Sequence, residues 1–321
     1  MDKIDETILK LLEKGYISGE HLSKLLGISR VAVWKRIKKI EKEGYVIEKS
    51  KKGYKLKEPS CYLLPYEVKK DLKTIWLGQN YIFFHEINST NIYAKENDLP
   101  HGTVVLAETQ TSGKGRKGRK WISERGKGLY FSIVLKENIF LDDFMVFSLL
   151  FPSVVRFVLQ KYLSKRIYIK WPNDLYIENK KFAGFLIESE IEGNEVSKVI
   201  VGIGININNP KKSLENLDKP ATSLFIEEGV LFDRKKILLE ILEKIEHCIE
   251  NFTPEEILKN VEENLLWKEK EVYLPELGLK GILLGLNRLG GLRIKTDEGI
   301  KEVYTGDLTL RNLDIKSTDQ K

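Results

Sequence analysis

The spacing of apolar side chains divides the chain into three stretches. In the first the spacing is helical: Ile4, Ile8, Leu11 and Leu12 fall on one face, and Gly15 stops the helix. A second, short helix follows Ser18-Gly19-Glu20 and runs through Leu22, Leu25 and Leu26. Gly27-Ile28 makes a tight turn, Ser29 caps a third helix, and Val33, Ile37 and Ile40 line its inner face until Gly44 ends it. Alternation then takes over. Tyr45-Val46-Ile47-Glu48 and Tyr54-Lys55-Leu56 flank Ser50-Lys51-Lys52-Gly53, which predicts a hairpin with a basic tip. Three helices and a hairpin make a winged helix-turn-helix over residues 1–58.

Glu58-Pro59-Ser60 reads as a linker, and residues 61–270 switch to strand patterning. Strands are predicted at 81–85, 103–107, 129–135, 167–170, 175–177, 182–188 and 199–207, with helices after Ser89 and over 144–162 and 233–251. Turns as short as Glu178-Asn179-Lys180 favour a mixed, mostly antiparallel sheet with packed helices over a doubly wound parallel layer. The class is therefore α+β. From Glu271 the strands shorten between Pro275, Asn287, Gly290 and Asp297-Glu298-Gly299, so residues 271–321 predict a small SH3-like β-barrel.

Composition adds exclusions. The 321 residues are 42% hydrophobic and 31% charged, enough to bury the cores of two or three domains. A net charge of +6 is too small to name a partner, so the placement of the cations decides. Cys61 and Cys248 suit a reducing cytoplasm, and His21, His85, His101 and His247 are too scattered for a zinc site. The N-terminus lacks an apolar signal core, and the apolar stretch 144–159 carries Pro152 and Arg156. A core helix is expected there, with no membrane partner.

Cations gather in two places. On the third helix Arg30, Trp34, Lys35, Lys38 and Lys39 point outward after the Ser29 cap, and Lys51 and Lys52 tip the wing. Such a face suits a DNA major groove, with Arg30 and Trp34 at base edges and the wing lysines at phosphates. A solvated basic helix of a protein-binding module is the plainer alternative.

The second gathering is Gly113-Lys114-Gly115-Arg116-Lys117-Gly118-Arg119-Lys120-Trp121, between two predicted strands. Its glycines can take φ > 0 and let backbone N–H groups converge while the cations supply charge; such a loop is built to hold an anion and, left empty, should repel itself and stay mobile. The glycines also satisfy G-x-G-x-x-G, but the chain runs on into a strand where that fingerprint needs a helix. Nearby motifs allow two readings each. Ser89-Thr90-Asn91 either cap a helix or touch a ligand, and Lys170-Trp171-Pro172-Asn173-Asp174 is either a plain turn or a polar site. Lys181 is either a hairpin tip or aimed at an anion, and Gly202-Ile203-Gly204-Ile205-Asn206 admits either a ligand or a second backbone.

In this order the motifs strongly resemble the biotin protein ligases, and the winged helix-turn-helix makes the chain resemble their bifunctional members, the biotin operon repressors. The resemblance covers essentially the whole chain. It implies a class II synthetase-like catalytic sheet and an ATP-dependent, AMP-forming biotin–[biotin carboxyl-carrier protein] ligase. Biotin's carboxylate would attack the α-phosphate of ATP, giving biotinyl-5′-AMP and pyrophosphate, and a lysine of a biotin carboxyl carrier protein would then take the biotinyl group. The resemblance also implies a cytoplasmic repressor of biotin genes that binds operator DNA as a homodimer promoted by biotinyl-5′-AMP.

Carried over residue by residue, the resemblance gives Ser89, Thr90, Asn91, Gln110, Lys114 and Gly115 to biotin, together with Arg116 and Lys181. Arg119, Trp121, Asn173, Gly204 and Asn206 would line the nucleotide side with Arg116 and Lys181, and Trp121 would stack on adenine. Arg116, Lys181 and Asp174 would be catalytic, with Asp174 also facing Mg²⁺ and helping to deprotonate the acceptor lysine. Lys114 and Lys117 stand where arginine is usual, which keeps the charge but loses bidentate geometry. Two alternatives are a lipoate or octanoate ligase of the same acyl-adenylate chemistry and a ligand-sensing repressor without catalysis. The basic loop and the helix-turn-helix count against the first, and the joint presence of Arg116, Lys181 and Asp174 against the second.

Overall fold

The computed structural model describes residues 2–136, 139–193, 195–215, 217, 219–304 and 311–312. The chain forms two compact units, Met1–Asp71 and Leu72–Lys321.

In the first unit α1 (Lys3–Glu13), α2 (Gly19–Leu26) and α3 (Arg30–Lys42) each begin on a side-chain cap. Asp2 accepts from Ile4 N and Asp5 N, Ser18 Oγ from His21 N, and Ser29 Oγ from Ala32 N, which satisfies donors that a helix start leaves open. Gly27 takes φ 65 after α2 and turns the chain into α3. Ile8, Leu12, Leu22, Ile37 and Ile40 are wholly buried. β1 (Val46–Ser50) and β2 (Gly53–Glu58) form the predicted antiparallel wing. Gly53 is required there, because at φ +115 a Cβ would sit 2.2 Å from Ile17 O. Beyond the linker the chain still packs on this unit: Tyr66 Oη, in α4 (Pro65–Lys69), donates to Glu13 at 2.9 Å.

The second unit carries, in chain order, β3 (Tyr81–Phe84), α5 (Thr90–Glu96), β4 (Thr103–Ala107), β5 (Leu129–Leu135), β6 (Ile139–Phe140), α6 (Leu141–Gln160), β7 (Ile167–Lys170), β8 (Asp174–Ile177), β9 (Lys180–Glu192) and β10 (Glu195–Ile205). Four helices follow: α7 (Lys211–Leu214), α8 (Leu224–Glu228), α9 (Arg234–Glu250) and α10 (Pro254–Glu263). The strands form one sheet in the order β3-β4-β5-β10-β9-β8-β7, with β6 beside β10. β3 and β4 run parallel and the other pairings among the described strands are antiparallel, as expected for the α+β class. β9 extends beyond its predicted end at residue 188 because Ser189, Glu190 and Ile191 are exposed while the backbone ladder with β10 continues to Glu192. By length and composition Asp143–Gln160 of α6 could cross a membrane, but Leu149, Leu150, Phe151, Val155 and Leu159 are buried and the helix packs on α9 and α10.

The unit ends in β11 (Glu271–Leu274), β12 (Leu279–Leu286), β13 (Leu292–Thr296), β14 (Gly299–Val303) and β15 (Arg311–Asn312), an antiparallel sheet in the order β14-β13-β12-β11-β15. Among the described residues no pairing joins β14 to β15. Among the described residues the predicted small barrel is a five-stranded sheet without a closing pair, and residues 305–310 and 313–321 of that prediction lie outside the described residues.

Candidate active site

A cavity of about 490 Å³, a size suited to a small ligand, opens on the large sheet. Every predicted small-molecule residue lines it: Ser89, Thr90, Asn91, Gln110, Lys114, Gly115, Arg116, Arg119, Trp121, Asn173, Asp174, Lys181, Gly204 and Asn206. These residues come from the β3–α5 turn, the basic loop, the β7–β8 turn, the start of β9 and the end of β10, which sheet pairing brings together.

The side chains lining one end are neutral. Ser89, Thr90 and Asn91 are buried at the start of α5, and the Ser89 side chain makes no cap bond. Gln110 Oε1 accepts from Thr90 N at 2.9 Å, and its Nε2 donates to Ser123 at 3.0 Å. Ser132, from the middle of β5, bonds to Thr90 Oγ1 at 2.7 Å and to Asn91 Oδ1 at 2.6 Å, and Asn91 Nδ2 donates to Glu188 at 3.0 Å. Buried polar atoms paired this fully hold fixed orientations. The glycines of β10 make room for them: a Cβ on Gly202 would lie 2.2 Å from Asn91 Oδ1, and one on Gly204 2.6 Å from the Trp121 ring. Both positions accommodate neighbouring side chains, not a second backbone.

The basic loop closes over the other end, folded differently from the predicted amide nest. Of its glycines Gly118 takes positive φ, at 71, next to Lys117 at 59, whereas Gly115 is extended. Gly113 is needed for space instead, because a Cβ would meet Trp121 O at 2.6 Å. Backbone bonds from Gly115 N to Arg119 O at 2.7 Å and from Trp121 N to Gly113 O at 2.8 Å fold the loop into a hairpin. An ion pair of Lys117 with Glu276 offsets part of the self-repulsion expected of its cations, and Arg116 donates to Asn173 at 3.1 Å. Asn173 is fixed in turn, its Nδ2 donating to Phe185 O at 2.6 Å.

Lys181 and Asp174 meet at the centre, Nζ to Oδ1 at 2.6 Å, and Lys181 Nζ also stands 5.4 Å from the Trp121 ring centroid. Asn206 is 4% exposed, its Nδ2 donating to Thr222 O at 3.1 Å. Beneath the β7–β8 turn the buried Trp171 donates from Nε1 to Gly290 O at 2.9 Å. No local pattern marks Ser132, the one polar residue of β5, or Glu188, at the start of the polar end of β9, as part of the site. Lys170 and Lys219 line the cavity beside the predicted residues. Only the Lys170 motif carried a signal for these.

On the first unit the predicted DNA face is partly engaged. Ser29 serves as a cap, Arg30 pairs with Glu20, Lys38 with Glu41 at 3.2 Å, and Lys39 with the buried Asp5 at 2.7 Å. Trp34, Lys35, Lys51 and Lys52 are exposed.

Residues 83–206 match the biotin/lipoate A/B protein ligase family, and residues 5–55 match a helix-turn-helix domain. The bifunctional ligase/repressor BirA of Bacillus subtilis (strain 168) is 36% identical over 316 residues, spanning 92% of this chain and 94% of its own. The chain belongs to the biotin protein ligase family. Also similar to it are the bifunctional ligase/repressor BirA of Escherichia coli (strain K12), 28% identical over 95% of this chain and 96% of its own, and the biotin protein ligase of Aquifex aeolicus. The structure of that Aquifex ligase in complex with biotin and ATP superposes with a TM-score of 0.63 at 35% identity, covering 73% of this chain and 99% of that one.

Proposed function

We propose that this protein is a biotin protein ligase that also acts as a DNA-binding repressor of biotin genes. One observation carries the reading: a single cavity joins an end lined by neutral polar side chains, Thr90, Asn91 and Gln110 held by hydrogen bonds, to the cluster of Arg116, Lys181 and Asp174 beside an indole. The neutral end suits biotin's ureido group and tail, with Ser89, Thr90, Asn91 and Gln110 as partners. Trp121 suits an adenine face, with Asn173, Gly204, Asn206 and Arg119 on the nucleotide side.

The first step joins two anions, so its chief requirement is to hold carboxylate and α-phosphate together and to stabilise charge developing on phosphorus. Arg116 and Lys181 supply that charge, and Lys114 and Gly115 cover the carboxylate. A carboxylate oxygen bonds to the α-phosphorus, the bond to the β-phosphate oxygen breaks, and biotinyl-5′-AMP and pyrophosphate result. In the second step an amine of a biotin carboxyl carrier protein attacks the mixed anhydride, AMP leaves, and Asp174 takes the amine's proton. Among the described residues no three acidic, histidine or cysteine side chains gather as a metal cage. That donor set fits Mg²⁺ brought in by the nucleotide, which keeps water and phosphate oxygens and needs one carboxylate, here Asp174; the ion would neutralise phosphate charge.

In this reading residues 1–58 bind operator DNA through Arg30, Trp34, Lys35, Lys38, Lys51 and Lys52, residues 61–270 catalyse, and residues 271–321 form an SH3-like module. The protein works in the cytoplasm, as a homodimer promoted by biotinyl-5′-AMP. Biotin, MgATP and a purified carrier domain should yield biotinylated carrier; an absence of transfer, or preferential use of lipoate, would refute the assignment. Sedimentation with and without biotinyl-5′-AMP tests the dimer, and equal mass in both states would remove it.

A further inference from the structure

An asparagine amide has nearly the same shape either way round, so its hydrogen-bond partners decide which atom faces which way. Asn91 Nδ2 faces Leu186 O at 3.2 Å and Glu188 Oε2 at 3.0 Å, a carbonyl and a carboxylate that can only accept. Lys95 Nζ stands 3.4 Å from the other Glu188 oxygen, a cation beside that carboxylate. Asn91 Oδ1 is thereby turned to Ser132 Oγ, 2.6 Å away. An amide oxygen only accepts, so the single Ser132 proton is committed to Asn91 and cannot also serve Thr90. Ser132 Oγ and Thr90 Oγ1 are nevertheless 2.7 Å apart, a hydrogen-bond distance at which two lone pairs would repel, so the Thr90 proton lies between them. The competing contact of Thr90 Oγ1, with Gln110 Oε1, is longer at 3.3 Å, and that oxygen already accepts from Thr90 N at 2.9 Å. Thr90 lines the cavity with lone pairs only.

We propose that Glu188 is a positioning residue that sets the direction of this chain of hydrogen bonds, and so makes Thr90 an obligate acceptor that selects a ligand carrying a ring N–H. The assignment rests on the ligase reading and deepens it, because biotin's ureido group offers such donors and the dithiolane of lipoate offers none. Glu188 acts through Asn91 and Ser132 without lining the cavity. Its bond is the charge-assisted one of the chain and the strongest hold on the Asn91 amide. A neutral amide at 188 could donate as readily as accept, which would let Asn91 turn round and the chain run either way. Thr90 could then offer its proton to a ligand oxygen placed where the N–H belongs.

The test is calorimetric titration of the full chain with biotin and with its two cyclic carbamate isosteres, in which oxygen replaces one or the other ureido N–H. Wild-type protein should bind one isostere about a hundredfold or more weakly than biotin, since a site built around a ligand N–H rejects the analogue that lacks it. In Glu188→Gln that ratio should fall by about tenfold while AMP affinity stays within about twofold, which also shows that the variant folds. The exchange is isosteric, on a side chain 35% exposed. Ser132→Ala frees the Thr90 proton and should lower the ratio too. A ratio unchanged in Glu188→Gln overturns the role of Glu188, even if biotin and isosteres all bind more weakly and even if Ser132→Ala lowers the ratio. Carrier labelling separates this result from the fate of the ligase reading. A lowered ratio in a protein whose wild type transfers no biotin keeps the positioning role and removes the ligase; an unchanged ratio in a protein that does transfer biotin does the reverse. Wild-type protein that binds neither biotin nor an isostere overturns both.

Discussion

Lys181 Nζ lies 2.6 Å from Asp174 Oδ1, joining the first turn of β9 to the start of β8 inside the cavity. The pair gives each partner a job that the other cannot do, a cation for phosphate and a base for an amine. Lys181→Met should lower adenylate formation by about 10²–10³-fold, the usual cost of removing one preorganised charge-stabilising donor. Asp174→Asn should depress transfer to the carrier more than adenylate formation. Pyrophosphate exchange and carrier labelling, measured on both variants, separate the two steps, and equal losses in both steps would contradict the division.

Gly202 and Gly204 are two residues apart on one strand and should fail differently. A methyl at Gly202 would meet Asn91, and one at Gly204 would meet Trp121. Gly202→Ala should weaken biotin binding by about tenfold or more with AMP binding little changed, and Gly204→Ala should do the reverse. Fluorescence titration of each variant with each ligand reads the crossover.

Arg116 spans the cavity mouth to Asn173. Arg116→Ala should let the adenylate escape, raising its dissociation rate by about tenfold or more while biotin alone still binds. Filter retention of labelled adenylate measures this, and unchanged retention would remove the covering role of the loop.

The first unit should weaken in acid. Burial alone would raise the Asp5 carboxyl, but hydrogen bonds from Lys39 and Arg36 outweigh it and hold the group below its usual value; Arg36 likewise holds Asp2 at about 2. Because the folded values are depressed, the unfolded chain binds protons first. The stabilisation is complete above the unfolded value of about 3.9 and is lost as pH falls through the folded ones. Thermal unfolding followed from about pH 5 to about pH 2 should show the loss, and Asp5→Asn should flatten it.

If the wing lysines meet phosphates, Lys51→Ala and Lys52→Ala should each reduce the salt slope of operator binding by about 1, with little change in sequence preference. Trp34→Ala should instead change preference among sequences. Titrations at several salt concentrations distinguish these outcomes.

The elements that the sequence made legible have local causes. Ser18, Ser29 and Gly27 mark the first unit's helix ends by capping and φ alone, and the cavity residues lie in compact motifs. What escaped depends on distant partners. Ser132 looks like one polar residue in an apolar strand until α5 brings Thr90 and Asn91 against it. Helix α10, not among the predicted elements, begins at Pro254, where the missing N–H costs nothing. The loop glycines promised three left-handed positions, yet Lys117 took one beside Gly118, and Gly113 serves to clear the Trp121 carbonyl. Such choices are made by what packs against a residue, which no local pattern records.

The indole of Trp171, 1% exposed, sends its one donor into the C-terminal sheet, to Gly290 O. A chain cut at residue 270 would keep every motif of the cavity and lose the partner of that donor, directly under Asn173 and Asp174. The turn that carries Asn173 and Asp174 is therefore braced from the C-terminal sheet, which belongs to the same compact unit.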